Sequence, residues 1–126
     1  IKSFMIITAG SLKFKKIVSN ANNSLRPTSN KVRQAVFNIL NHKLGMENSI
    51  STACILDAFA GTGIIGFEAI SRGAVQATFI EKDIKNFKTI LQNIKRLKIH
   101  EKTNSINDDF FNIKSLPFKY KLVYLD

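Results

Sequence analysis

The sequence predicts an α/β fold built on a parallel sheet, and three observations carry that prediction. From Ala53 onward, short apolar strand-like runs alternate with amphipathic helix-like ones, the order in which a parallel sheet is wound with right-handed crossovers. A glycine turn, Gly61-Thr62-Gly63-Ile64-Ile65-Gly66, joins the first such strand to the first such helix. Acidic residues close the strands at Asp57, Glu81 and Asp126, at the rim where a parallel sheet holds its ligands.

The elements follow in order. Phe4-Met5-Ile6-Ile7-Thr8, with Gly10 after it, and the alternating apolar and basic residues of 12–18 predict a small hairpin with lysines on one face. Residues 19–24 read as a polar loop. Leu25-Arg26-Pro27-Thr28-Ser29 sets up a helix start, with Pro27 fixing φ and Thr28 or Ser29 as N-cap. The helix is expected from about Asn30 to Leu44, with Val32, Val36, Ile39 and Phe37 or Leu40 along its apolar stripe. A second polar loop covers 48–52. A buried strand over 53–57 comes next, and then a helix over 64–72 stopped by Gly73. A strand over 77–81 leads to Asp83, which caps a long helix with Ile84, Phe87, Ile90 or Leu91, Ile94 and Leu97 on one face. A weak strand at 103–107 and a strong one at 120–125 complete the series. The chain divides into a basic hairpin-and-helix part, 1–52, and an α/β part, 53–126, that carries the glycine turn.

Composition narrows the functional classes. With 126 residues, 44% of them hydrophobic and 22% charged, the chain can bury one core, which excludes disorder. Its apolar runs reach only about four residues, far short of a bilayer span or a secretory signal, so a cytoplasmic protein is expected. One cysteine, Cys54, excludes a disulfide framework and a cysteine-rich zinc site. His42 and His100 lack ligand spacing, so no metal is expected. The formal charge is +10, and residues 1–52 hold eight basic side chains against Glu47 alone. That asymmetry points to a polyanionic partner; the plainer reading is a solvated surface, since lysine outnumbers arginine fifteen to four.

The glycine turn by itself serves a nicotinamide nucleotide as well as any other ligand presented to a helix N-terminus. Glu81, eighteen residues after Gly63, suits a ribose diol. Asp57, four residues ahead of Gly61, discriminates. A pyrophosphate would face its carboxylate at close range, a repulsion of several kcal/mol. S-adenosylmethionine would instead bring an ammonium and a sulfonium, along with a ribose diol for Glu81. Asp57 also has a structural reading, as a cap of the glycine turn. Asp108 and Asp109 follow the third strand at the same rim. Either can accept from an adenine amino group, and Asp109 equally suits the N-cap of a short helix at 110–113.

Six segments together resemble the bacterial 16S ribosomal RNA guanine-966 N2-methyltransferases, a group also labelled N6-adenine-specific methylases. They are Ile6-Ile7-Thr8-Ala9-Gly10, Leu25-Arg26-Pro27-Thr28 ahead of 32–40, 56–63, Gly66 to Ala74, and Phe79-Ile80-Glu81-Lys82-Asp83, with Val123-Tyr124-Leu125-Asp126 closing the match. Gln34 departs from the usual glutamate, and Phe14 stands where a glycine is common. The resemblance implies a Rossmann-like class I methyltransferase sheet with helices on both faces. It implies S-adenosylmethionine contacts at Asp57, Phe59, Gly61, Gly63, Glu81, Lys82, Asp108 and Asp109, with S-adenosylhomocysteine as product. It makes Asp126 the catalytic acceptor of the amine N–H, and 16S ribosomal RNA or the small-subunit particle the partner. Lys13, Lys15, Lys16, Arg26, Lys31 and Arg33 are then the RNA contacts, with a structural role open for Arg33. Family members continue past the final aspartate into Pro-Pro-aromatic and further strands. The expectation is therefore a longer, monomeric protein with roughly 55–75 further residues, of which these 126 alone are inactive. A catalytically silent RNA-binding module and an NAD-dependent oxidoreductase are the competing classes.

Overall fold

The computed structural model describes residues 2–20, 29–44 and 50–126. Two strands, β1 (Lys2–Ile6) and β2 (Lys16–Asn20), pair antiparallel with Met5 opposite Ile17, and α1 (Asn30–Leu44) follows. The rest is β3 (Cys54–Asp57), α2 (Ile64–Ser71), β4 (Gln76–Ile80), α3 (Ile84–Leu97), β5 (Thr103–Ile106) and β6 (Leu122–Tyr124). The four later strands form one parallel sheet in the order β5-β4-β3-β6. Strand order reverses beside β3, because β4 and β5 are added on one side and β6 on the other. That reversal opens a crevice at the carboxyl ends of β3 and β6.

Local chemistry explains the boundaries. Asp83 caps α3 by accepting from the Asn86 backbone N–H at 2.9 Å, and Lys98 ends the helix in the left-handed region. α2 stops at Ser71, two residues before Gly73. Ile55, Phe67, Ile70, Ala77, Phe79, Ile90 and Ile94 meet between the sheet and the two helices, and Ile7, Ile17 and Phe37 join the same cluster. The opposite face is smaller. Leu56, Ala58 and Ile80 are covered there by Ile106, Phe110, Ile113, Leu116 and Tyr120, and the Tyr120 hydroxyl bonds Thr78 Oγ1 at 2.8 Å.

The N-terminal part departs from the sequence reading in two places. Residues 11–14 form a turn, so the second strand starts at Lys16 and runs to Asn20, into the stretch read as loop. Ser19 is buried and shares a 2.7 Å hydroxyl contact with Ser3, which gives that polar stretch a place in the ladder. On α1, Val32 and Ile39 are exposed at 50% and 57%, while Arg33 and Phe37 are fully buried. The helix packs through an arginine and an aromatic one turn apart, a face that an apolar count cannot register. The expected N-cap Thr28 lies outside the described residues; Ser29 Oγ accepts from Val32 N at 3.3 Å.

β2 is fastened to α3 by Asn93, whose amide accepts from Val18 N at 3.1 Å and donates to Val18 O at 2.8 Å. A side chain thus makes the two bonds of a neighbouring strand. Arg96 donates to the Lys16 carbonyl and Asn20 to Asn86 Oδ1. The hairpin therefore lies along α3 with its turn at the Lys98 end, away from the sheet's ligand rim.

Candidate active site

Asp57 ends β3 with 2% of its surface exposed. Burial pushes its carboxyl up to about 8, Glu81 and Asp126 push the same way, and a hydrogen bond from the Gly66 backbone N–H opposes them. Among the described residues its Oδ2 has no hydrogen-bond partner. The other bond gives Asp57 the structural role open to it from the sequence, since Gly66 lies in the first turn of α2. A buried carboxylate with one satisfied and one orphaned oxygen is costly unless a donor arrives.

The turn after it is held on both sides. Ala58 N donates to Tyr124 O at 3.1 Å and Ala60 N to Ile80 O at 2.9 Å. Gly61 N donates to Glu81 Oε1 and Asp83 N to Glu81 Oε2, both at 2.8 Å. Glu81 thus ties the glycine turn to the start of α3, with the remaining lone pairs of its two oxygens left to accept. Gly63 has φ +82°, and a Cβ there would come within 2.7 Å of Phe67 Cε2. The demand at Gly63 is thus packing against α2, where the sequence suggested room for a ligand.

A cavity of about 260 Å³ opens on this rim. It gathers most of the expected site: Phe59, Gly61, Glu81, Lys82, Asp108, Asp109 and Asp126 line it, while Asp57 and Gly63 do not, although their neighbours Ala58 and Gly61 do. Four carboxylates and one lysine make its charge opposite in sign to that of the whole chain. Asp109 Oδ1 caps the short turn at Phe110–Asn112 by accepting from Phe111 N at 3.0 Å. Asp108 is exposed and accepts from Asp109 N at 2.7 Å. Asp126 is exposed, and the Tyr124 hydroxyl donates to its Oδ2 at 3.2 Å.

Three contributors were not foreseen. Phe110 and Phe111 line the cavity and pack on Phe59 with ring centres 5.5 and 6.0 Å away. Asn107 donates to the carbonyls of Glu81 and Lys82 at 2.9 and 3.2 Å, joining the two rim loops. The adjacent phenylalanines following two aspartates were the signal available in the sequence.

The basic residues do not gather at this cavity. Lys13, Lys15 and Lys16 are exposed at the far end of α3, Lys31 is exposed on the first turn of α1, and Arg26 lies outside the described residues. Arg33 is a correction, because it is wholly buried. It pairs with Glu68 at 3.3 Å and donates to the Ile6 carbonyl at 2.6 Å. Burial lowers its pKa, and Glu68 works against that shift. Glu68 also pairs with Arg72 at 3.3 Å and accepts from Thr8 N, Thr8 Oγ1 and Ala9 N. Next to it, a Cβ at Gly10 would fall 1.8 Å from Ser71 O. The Thr8-Ala9-Gly10 stretch is therefore a docking contact with α2.

Residues 5–126 match the model of the family described as Conserved hypothetical protein 95. The chain belongs to that family. It is 34% identical to the ribosomal RNA small subunit methyltransferase D of Buchnera aphidicola (strain APS), over 98% of this chain and 62% of that protein. It is also 34% identical to the protein of the same name from Escherichia coli K12, over 95% of this chain and 58% of that one. Among solved structures, the Escherichia coli protein yhhF, which carries a methyltransferase name, superposes with TM-score 0.78 and 29% identity, over 98% of this chain and 64% of that one. The fold is that of class I methyltransferases. This chain spans about three fifths of the length of these curated relatives.

Proposed function

We propose that the chain is the cofactor-binding part of an S-adenosylmethionine-dependent methyltransferase acting on the exocyclic N2 of a guanine, guanine-966, in 16S ribosomal RNA. Two observations in a chain of net charge +10 support this reading: the acid-lined rim cavity, and beside it, at the end of β3, the buried Asp57 Oδ2, which lacks a donor among the described residues. Such a site favours a cationic ligand rich in N–H and O–H groups over a pyrophosphate. The names of the relatives supply the substrate class.

Each residue then has a task. Asp57 offers its free oxygen to a positive group above it, and Glu81, already holding Gly61 and Asp83, accepts from a ribose diol. Asp108 accepts from the adenine amino group, since Asp109 is committed to its cap. Phe59, Phe110 and Phe111 give the adenine apolar walls. The bound cofactor supplies a sulfonium methyl whose leaving group is a neutral thioether. Asp126 accepts a hydrogen bond from the guanine amine, turning the nitrogen lone pair toward that methyl and drawing off charge as the new bond forms. Reaching a paired base at this depth requires that it be flipped from its stack.

Calorimetric titration of this chain with S-adenosylmethionine and with NAD tests the cofactor. Binding of the first without the second is expected, and the reverse overturns the reading. The protein purified at its native length, given 16S ribosomal RNA and labelled cofactor, tests the base: label on guanine N2 is expected, and label on adenine N6 replaces the guanine assignment.

A further inference from the structure

The most unusual residue outside the rim is Phe14. It adopts φ +71°, a left-handed conformation that a bulky aromatic side chain avoids, and 75% of its surface is exposed. The conformation closes the turn, with Phe14 N donating to Ile7 O at 2.9 Å, but the turn asks only for a left-handed backbone and does not account for a large, exposed ring there. Lys13 Nζ sits 5.0 Å from the ring centre. Beside the ring runs a groove of about 540 Å³ lined by Leu12, Lys15, Lys16, Arg96, Leu97 and Lys98, with no acidic residue. Cations at the end of α3 complement the helix dipole, but that accounts only for Arg96 and Lys98. The lysines facing them come from the hairpin turn, and the aromatic among them is left open to solvent.

We propose that Phe14 is a stacking platform for an unpaired nucleotide of RNA, seated in the basic groove between the hairpin turn and the end of α3. Positive walls that track a phosphate chain, together with an exposed ring, are the two parts of a single-strand binding surface. A duplex keeps its base faces covered and cannot use the ring. The groove and the rim cavity carry opposite charge and lie at opposite ends of α3, whose fourteen residues span about 20 Å. The stacked nucleotide is therefore a different one from the base that enters the rim, and the RNA is gripped at two separated points. This rests on the reading of RNA as the partner, and not on the cofactor or on the base methylated.

Fluorescence anisotropy with a labelled short oligouridine and a labelled RNA duplex of equal charge tests it on the full chain. Phe14→Gly should weaken oligouridine binding about 5- to 150-fold without changing the salt slope or duplex affinity, and Phe14→Tyr should bind as wild type does. Lys15→Ala and Lys98→Ala should each lower the single-strand salt slope by about 0.7. Phe14→Gly should melt at or above the wild-type temperature, so lost binding cannot be read as misfolding. The proposal falls if wild type binds no oligouridine at low salt, or if Phe14→Gly binds it as well as wild type does. It falls equally if single strand and duplex weaken together, or if polyglutamate of matching charge displaces the RNA. Titration of the same variants with S-adenosylmethionine separates the two readings: loss of cofactor binding in wild type overturns the methyltransferase reading and leaves a Phe14-dependent RNA effect standing.

Discussion

Of the three carboxylates buried among the described residues, Glu68 and Asp57 are treated in opposite ways. Glu68, fully buried, is met by two guanidinium groups, two backbone N–H groups and a hydroxyl. Asp57, almost as deeply buried, takes one backbone hydrogen bond, feels two further carboxylates and keeps an oxygen without a partner. Glu68 joins the N-terminal segment and α1 to α2, and its saturation belongs to a joint. Asp57 directly precedes Ala58 of the rim cavity's lining, and in the proposed function its deficit is what the ligand meets. Burial alone would have classed them together; the count of donors separates them.

The largest effect expected is at the joint. Glu68→Ala leaves Arg33 as an uncompensated buried charge and should destabilise the fold by about 3–5 kcal/mol, measured by urea unfolding. Adding Arg33→Met should recover part of that loss, and purely additive losses would show that the two groups do not act as a pair.

At Asp57 the sign reverses. Its folded pKa of about 8 lies above the ordinary carboxylate value, so the folded state holds a proton that the unfolded state releases. The ligand-free protein should lose stability as pH rises from about 4 toward 8. Asp57→Asn removes that decline, gaining roughly 1–4 kcal/mol at pH 8 while losing S-adenosylmethionine affinity at least tenfold. Thermal melts across pH, paired with calorimetry, check both halves. A variant that is destabilised at pH 8 breaks the contrast with Glu68.

Glu81 stands between the two cases, because both its oxygens are used inside the fold and yet face the cavity. Glu81→Ala should cost about 1.5–3 kcal/mol of S-adenosylmethionine binding; unchanged affinity in a folded variant would make Glu81 a loop tie alone. The smallest energetic change is expected from replacing Lys13, Lys15 and Lys16 together by alanine. The RNA salt slope should fall by up to about two, with cofactor affinity untouched. An unaltered slope would leave those lysines as solvated surface.

How much of this was legible in the sequence depended on the range of the interactions. α3 and its cap at Asp83 follow from neighbours within one turn, and the glycine turn with its flanking acids follows from one strand and one helix start. The residues expected at the rim therefore mostly fall around one cavity. Glu68 was out of reach because its partners Thr8 and Ala9 stand about sixty residues away, and nothing local distinguishes it from a surface acid on a helix. Arg33 looked like an RNA contact for the same reason. The register of β2 was missed because the turn at 11–14 depends on a backbone conformation at Phe14 that its residue type disfavours. Phe110 and Phe111 were legible as an apolar pair, but their place against Phe59 needed the crossover from β5 to β6.

The two-stranded hairpin is too small to protect itself from strand addition, yet side chains occupy backbone positions on each of its strands. Asn93 fills the outer N–H and C=O of Val18 on β2, and Arg33 occupies the Ile6 carbonyl on β1. An incoming strand from another molecule would have to displace a buried guanidinium on one side and a bidentate amide on the other. Open ladder edges are the usual starting points of aggregation. Here two side chains from helices act as stoppers, and colloidal stability becomes a property of α1 and α3 as much as of the hairpin.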